Sequence, residues 1–176
     1  MSIRRRILDS AEALFDEGGF GATGVDRLCA AADVSSRTLY RHVGSKSGLV
    51  VAVLAARDAR YLAALEVGSV AELFAALERW FGTEGARGCL FLRALGESGG
   101  GDAAVARAVA GHKRRVRAAV RRVVAAEIGA RDDVADQIHV LIEGATAAAV
   151  ELGPEAARIA ARAAATLLDA AGGTGR

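Results

Sequence analysis

Proline occurs once in this chain of 176 residues, cysteine twice, and aromatic residues make up only 5%. Two cysteines, Cys29 and Cys89, are too few for a disulfide framework. No apolar run reaches the ~18 residues that a membrane-spanning helix needs, which predicts no membrane partner. No run alternates apolar and polar residues for long enough to suggest a sheet. The chain has no Gly-rich phosphate loop, no paired metal-ligand spacing and no nucleophile with a plausible His and acid partner. His42, His112 and His139 fall on separate predicted helices and form no metal signature. These absences predict no catalytic residue, no metal and no cofactor. A formal charge of only +2 does not announce a nucleic-acid partner by itself, so the distribution of charge has to decide.

What is there is helical. Hydrophobic residues make up 52% and charged residues 25%, which excludes a disordered chain. Alanine occurs 41 times, and an Ala-rich, Pro-poor chain forms helices. The chain opens on polar and basic residues that pass into an amphipathic pattern rather than an apolar signal core, so a cytoplasmic location is expected. Glycines punctuate the chain at 18–24, 44–48, 82–88, 96–101 and 172–175, with segments of helical length between them. The fold class expected is all-α.

Ile3, Ile7, Ala11, Leu14 and Phe15 form one stripe of a helix over about 3–17, with Asp9 and Glu12 facing elsewhere. Val25, Leu28, Cys29 and Ala32 give a second helix over 25–32, with Cys29 read as core. A short turn at Asp33-Val34-Ser35 follows, and Ser35 is suited to cap a third helix over 36–42. That helix has one clear inward anchor, Leu39; Ser36, Arg37, Thr38, Tyr40, Arg41 and His42 are polar or amphipathic. A helix so poor in apolar anchors is displayed, not buried.

A fourth helix opens with Ser45 as its cap and runs to about Glu66. Ser69 and Glu72 fit a capping box that opens a fifth, with Glu72 reaching back to the cap N–H. A short helix over 88–97 and a long one over about 102–127 follow. Asp133 is expected to cap a helix over about 134–152, and Pro154 to take the first position of a last helix ending near 171. The tail from Gly172 is expected to fray.

Two short helices joined by a tight turn, the second polar and exposed, make a helix-turn-helix, whose second helix enters the major groove. Charge agrees. Residues 34–48 hold Arg37, Arg41 and Lys46 and no acid, whereas residues 1–33 hold four arginines against six acids.

These residues carry a resemblance. Ile7-Leu8, Ala11 to Phe15, Gly19-Phe20, Ala22-Thr23, Val34-Ser35, Thr38 to Val43, Ser45-Lys46 and Leu49 resemble the DNA-binding domain of the tetracycline-repressor (TetR) family of bacterial transcriptional regulators. The turn has Asp33 where that family usually has glycine, and Asp26 places an acid near the groove. The resemblance implies a helix-turn-helix DNA-binding domain over 1–48, joined by a long helix to a ligand-binding and dimerisation bundle over 49–176. It implies a homodimer on a double-stranded, pseudo-palindromic DNA operator, acting as a repressor released by a small-molecule effector. It implies phosphate contacts from Thr38 and Tyr40. Lys46 adds a cation at a helix start, where ammonium and backbone amides can both hold a phosphate. His42 is expected at the DNA backbone, and Ser36, Arg37 and Arg41 are the candidates for reading bases, with Arg37 equally suited to a phosphate.

The rest of the chain is less specific. From 113 to 122 there are six basic residues and no acid, which reads either as a solvated face or as a long-range attractor of DNA or an anionic effector. Phe74, Leu77, Trp80 and Phe81, with Phe91 and Leu95, form either a packed core or the lining of the effector pocket that the resemblance implies. His139 and Glu143, at i, i+4, are either ligand contacts or a structural pair. Gly88-Cys89, Phe91 and Glu97 resemble a motif of one branch of the family, in which asparagine often stands where this chain has Arg93. Ile138, Leu141, Ala145 and Ala148 with Ile159, Ala163 and Leu167 are the candidates for a four-helix dimer interface, against the alternative of an ordinary core. The rival function is a helical dimeric ligand-binding or protein-interaction module without operator specificity; a pocket enzyme has no residue pattern to support it.

Overall fold

The computed structural model describes residues 2–98 and 101–173. Among them the regular structure is helical: α1 (Ile3–Gly18), α2 (Val25–Ala32), α3 (Ser36–Val43), α4 (Lys46–Ala64), α5 (Val70–Thr83), α6 (Leu90–Glu97), α7 (Ala103–Ile128), α8 (Asp132–Leu152) and α9 (Glu155–Gly173). The chain is all-α, with a helix-turn-helix arrangement at its start and a helical bundle after it. No helix among the described residues is long and apolar enough to cross a membrane.

Local chemistry sets most boundaries. Ser35 Oγ accepts from Thr38 N–H at 3.2 Å, and Ser45 Oγ from Gly48 N–H at 2.9 Å, as N-caps do. Asp102 Oδ1 accepts from the amides of Ala104 and Val105 and so opens α7. Three expectations are corrected. Ser69 caps α5, but the Glu72 carboxylate reaches one residue further back, to Gly68 N–H, at 2.8 Å. The cap position of α8 is Arg131; Asp132 and Asp133 lie in the first turn, where acids face the positive end of the helix dipole. Pro154 precedes the first residue of α9 instead of occupying it. Gly172 and Gly173 belong to the last turn of α9, and the tail expected to fray otherwise lies outside the described residues.

The chain forms two compact units, Met1–Ala59 with Leu90–His112, and Arg60–Cys89 with Lys113–Arg176. In the first, Ile7, Ala11, Phe15, Leu28 and Leu39 are buried where α1 packs on α2 and α2 on α3. Phe15 and Phe20 stack at 4.7 Å. Ile3, expected on the inward stripe, is 44% exposed, because it stands at the free first turn of α1. Glu12, expected to face outward, is buried instead: Arg57 Nη1 donates to its carboxylate at 2.7 Å. Its partner lies 45 residues on, beyond the reach of any local pattern. Cys29 is half-buried rather than core.

The second unit is held by one apolar cluster. Leu65, Leu73, Leu77, Val120, Val124 and Ile138 are each at most 1% exposed within it, and α9 packs on both α5 and α8. Charged pairs rim the cluster: Arg60 with Glu84, Arg158 with Glu78, and Arg117 with Asp136.

Candidate nucleic-acid interface

The turn that positions α3 is made by the residue where an L side chain is least expected. Asp33 takes the left-handed conformation, φ 50° and ψ 57°, which short polar side chains tolerate better than most. Its N–H donates to Ala30 O at 3.2 Å, and Val34 N–H to Cys29 O at 3.1 Å, closing α2. Arg6 Nη2 donates to the Asp33 carbonyl at 3.2 Å, so α1 reaches across to fix the turn. At the other end of α3, Arg4 Nη1 donates to the His42 carbonyl. Gly44 then turns the chain with φ 75°, and a Cβ at Gly48 would sit 2.1 Å from the Val43 carbonyl oxygen. Only glycine allows the backbone of α4 to pass this close to the end of α3.

Ser36, Arg37, Tyr40 and Arg41 are exposed on α3, Thr38 and His42 half-buried, and Leu39 is 1% exposed beneath them. Burying one leucine contributes about 1.5–3 kcal/mol, too little to hold eight residues in place. The arginine clamps at each end supply the rest of the geometry. Arg37 and Arg41 make no hydrogen bond or ion pair with the described residues, so both guanidinium groups stand available to an external acceptor. The Thr38 hydroxyl accepts from Ser35 Oγ at 3.1 Å. Lys46 is half-buried, and its Nζ donates to the Gly21 carbonyl at 3.3 Å, which holds the ammonium beside the α1–α2 loop. His42 Nε2 is buried with no partner among the described residues.

The negative charge counted over residues 1–33 is largely cancelled in place. Asp9 pairs with Arg5 at 2.8 Å, Glu12 with Arg57 at 2.7 Å, Asp16 with Arg93 at 3.3 Å and Glu17 with Arg27 at 3.3 Å. Two of these arginines come from α4 and α6, which no charge count over a window could include. Arg27 turns to Glu17 and not to Asp26, which sits exposed in the first turn of α2, where an acid complements the dipole. The positive charge on α3 therefore faces no equal internal opposition.

Much of the basic run of α7 is paired within the second unit, while Arg114 and Arg115 stay exposed. Lys113 pairs with Glu143, Arg117 and Arg121 with Asp136, and Arg122 donates to the Leu65 carbonyl at 3.2 Å. Those two arginines hold the Asp136 carboxyl down to about 2, mainly through the Arg117 hydrogen bond. His112 is buried, with Nδ1 2.7 Å from Asp58 Oδ1 and its ring flat against Phe91 at 3.6 Å.

The pocket candidates are divided between the two units. Phe74, Leu77 and Phe81 are buried in the second unit, with Trp80 half-buried there and edge-on to Tyr61 at 4.9 Å. His139 and Glu143 are half-buried in the same unit, 3.9 Å apart, and Lys113 Nζ bridges Glu143 to Cys89 Sγ, 3.6 Å away. Burial pushes the Tyr61 phenol up, with Glu143 and Cys89 adding to it, and burial lowers His139. His139 Nδ1 is buried with no partner among the described residues. Phe91 and Leu95 belong to the first unit instead. Of the interface candidates, Ile138 and Ala145 lie in the protomer's own core, and Leu141, Ala148 and Leu167 are half-buried against it. Ala163 is exposed and Ile159 is 44% exposed.

Sequence reasoning missed Arg4, Arg6, Arg57, Arg93 and Glu97 as residues that build this head. Each acts on a residue 27 or more positions away; the motif around Gly88-Cys89 marks positions 93 and 97 but not these contacts.

Comparison with known proteins bears on this geometry. The sequence model described as "Bacterial regulatory proteins, tetR family" matches residues 7–53. The transcriptional regulator UidR of Escherichia coli is 37% identical over 60 residues, 34% of this chain and 31% of UidR. The chain's match thus spans about a third of the length of the curated relatives it resembles. Over nearly its whole length the fold is similar to that of a TetR-family transcriptional regulator from Streptomyces coelicolor, with a TM-score of 0.85, 26% identity and coverage of 96% of this chain and 95% of that one. Salmonella enterica GusR shares the fold with a TM-score of 0.72 at 24% identity, covering 95% of each chain.

Proposed function

We propose that this chain, which belongs to the TetR family of bacterial transcriptional regulators, is a homodimeric repressor that leaves a pseudo-palindromic operator when a small molecule binds its bundle. The observation that carries this reading is α3: an eight-residue helix with one buried anchor, both ends clamped, and Arg37 and Arg41 exposed without internal partners. Residues 1–48 act as the DNA-binding domain and 49–176 as the ligand-binding and dimerisation domain. Two copies of α3 enter successive major grooves about one turn apart, ~34–36 Å. Arg41 and Ser36 read base edges, Arg37 reads a base or a phosphate, and Thr38, Tyr40, His42 and Lys46 hold the backbone. Thr38 and His42, half-buried, need only side-chain rotation or a bridging water to do so.

Phe74, Leu77, Trp80 and Phe81 with His139 and Glu143 form the effector site in the bundle. α8 and α9 pair with their counterparts in the partner through Ile159, Ala163 and Leu167, with Leu141 and Ala148 beside them and Ile138 and Ala145 as support from within. An effector has to supply only ~1–3 kcal/mol of differential affinity to displace the operator. A DNA partner assigns the protein's work to the bacterial cytoplasm.

The test is selection of duplexes from a randomised pool by the wild-type protein, followed by titration at several salt concentrations. Selection of a two-fold-related site is expected. Arg41→Ala then relaxes specificity by ~1–3 kcal/mol at one position of each half-site, and Lys46→Ala lowers the salt slope by about 0.9 per protomer. If both substitutions leave affinity and salt dependence unchanged, the reading fails.

A further inference from the structure

α6 begins more than seventy residues after α1 ends, yet within the first unit its polar side chains are committed to the head. Arg93 Nη2 donates to the Phe15 carbonyl at 3.2 Å, and Arg93 Nη1 to the Asp16 carbonyl at 3.1 Å and to the Asp16 carboxylate at 3.3 Å. The last turn of α1 has no basic residue of its own; its Phe15 carbonyl also accepts from Gly19 N–H, and Arg93 supplies the cation that the negative end of the helix dipole favours. Four residues further along α6, the Glu97 carboxylate accepts the Gly21 N–H at 2.8 Å. The Gly21 carbonyl, on the far side of the same residue, accepts from Lys46 Nζ. Gly21 is therefore held at both ends, by an acid from α6 and by the lysine assigned to a phosphate.

The loop is shaped to receive that acid. Gly19 has φ 84°, and a Cβ there would lie 2.9 Å from Glu97 Oε2. Thr23 Oγ1, fully buried, donates to the Gly19 carbonyl at 2.6 Å and pins the loop from beneath. At the start of α4, Ser47 Oγ donates to Asp102, from the segment that follows α6. α1, the α1–α2 loop and the start of α4 are each fixed by a group carried on or just after α6.

We propose that Arg93 and Glu97 are positioning residues for DNA recognition: Arg93 anchors the end of α1, and Glu97 fixes the Gly21 peptide against which Lys46 is set. The proposal rests on the reading of α3 and Lys46 as the DNA-contacting surface. Glu97 is exposed and touches the same loop that Lys46 does, so its charge and its geometry make opposite predictions. Removing an anion from the neighbourhood of a polyanion tightens binding. Removing a carboxylate that holds a loop in place loosens it.

The experiment compares wild type, Glu97→Ala and Glu97→Gln on one duplex, selected from a randomised pool by the wild-type protein. Glu97→Ala is expected to bind about ten- to a hundredfold more weakly, the range for losing a hydrogen bond to a charged group. Glu97→Gln, whose amide oxygen still accepts the Gly21 N–H, is expected to recover binding to within about threefold of wild type. The Glu97→Ala deficit is expected to persist from low to high salt, because a fixed contact is not screened as a surface charge is. Amide exchange at Gly21, measured without DNA, is expected to quicken in Glu97→Ala and not in Glu97→Gln. Arg93→Ala is expected to weaken binding and to quicken exchange at the end of α1. Equal or tighter binding by Glu97→Ala, or Gly21 exchange unchanged by it, overturns the proposal. Failure of the wild type to select any sequence overturns the underlying reading, while the exchange measurement still decides whether Glu97 holds the loop.

Discussion

Both compact units have an apolar interior, but they differ in what is added to it. The second is fixed by apolar area: leucines, valines and alanines from five helices interlock, and ion pairs lie at the rim. The first buries apolar side chains too, Phe15, Leu28, Leu49 and Leu54 among them, but side chains that reach across the sequence to backbone groups set the geometry of α3 and the turns around it. Arg4 holds His42, Arg6 holds Asp33, Lys46 holds Gly21, and Arg93 holds the end of α1. Apolar area is non-directional, so it yields a stable bundle with latitude in detail. Hydrogen bonds are directional, so they set angles. A surface that must match the pitch of a duplex needs the second kind of constraint.

The comparison can be broken most forcefully by a matched pair of substitutions, one in each unit. Glu12→Ala leaves Arg57 buried without its carboxylate and is expected to destabilise the first unit by about 3–5 kcal/mol. Leu77→Ala removes a fully buried side chain and is expected to cost about 2–5 kcal/mol in the second. Segment-resolved hydrogen exchange checks both. Glu12→Ala is expected to raise exchange first in α1 to α3, and Leu77→Ala first in α5, α8 and α9. Identical exchange maps for the two variants would abolish the distinction between the units.

Gly48→Ala should cost less in stability and more in function. Its Cβ would collide with the Val43 carbonyl, and overpacking of this kind costs about 1–3 kcal/mol. The displaced part is the joint between α3 and α4, so operator affinity is expected to fall while the thermal midpoint of the bundle moves little. Gly82→Ala, in open space near the end of α5, is the control: it is expected to leave operator affinity unchanged and to stabilise the bundle by up to about 1 kcal/mol, the helix preference for alanine over glycine.

The smallest effect is a dependence on pH that belongs to the bundle. Burial lowers the folded-state value of His139 below its ordinary 6.5. As pH falls through that ordinary value, the unfolded chain takes up a proton that the folded chain resists, so stability is lost on acidification. His139→Gln is expected to flatten the denaturation midpoint between pH 7 and pH 5 (roughly the range over which histidine titrates). An unchanged slope in this variant would assign the dependence to another group.

What could be read from the sequence follows the same divide. Ser35, Ser45 and Ser69 announce their helices because a cap acts three residues away, and Leu39 announces a displayed helix because its neighbours are polar. The helix-turn-helix was legible for that reason. Within its own helix Glu12 breaks the apolar stripe and reads as an outward-facing acid; Arg57, which pairs with it in the interior, stands 45 positions later. The basic run on α7 pointed to a charged surface, yet Glu143, Asp136 and Asp132 take up much of it. Local rules locate elements. They are silent on a guanidinium or carboxylate whose partner is set by the tertiary fold.

Trp80 is the chain's only indole, and it stands against Tyr61 among the residues assigned to the effector. The bundle therefore carries its own optical reporter. Near 295 nm every photon the protein absorbs lands essentially on one fluorophore (about where tyrosine absorption fades), next to the proposed site. Libraries of small molecules can be screened by quenching or spectral shift on the unlabelled protein, with no DNA in the assay.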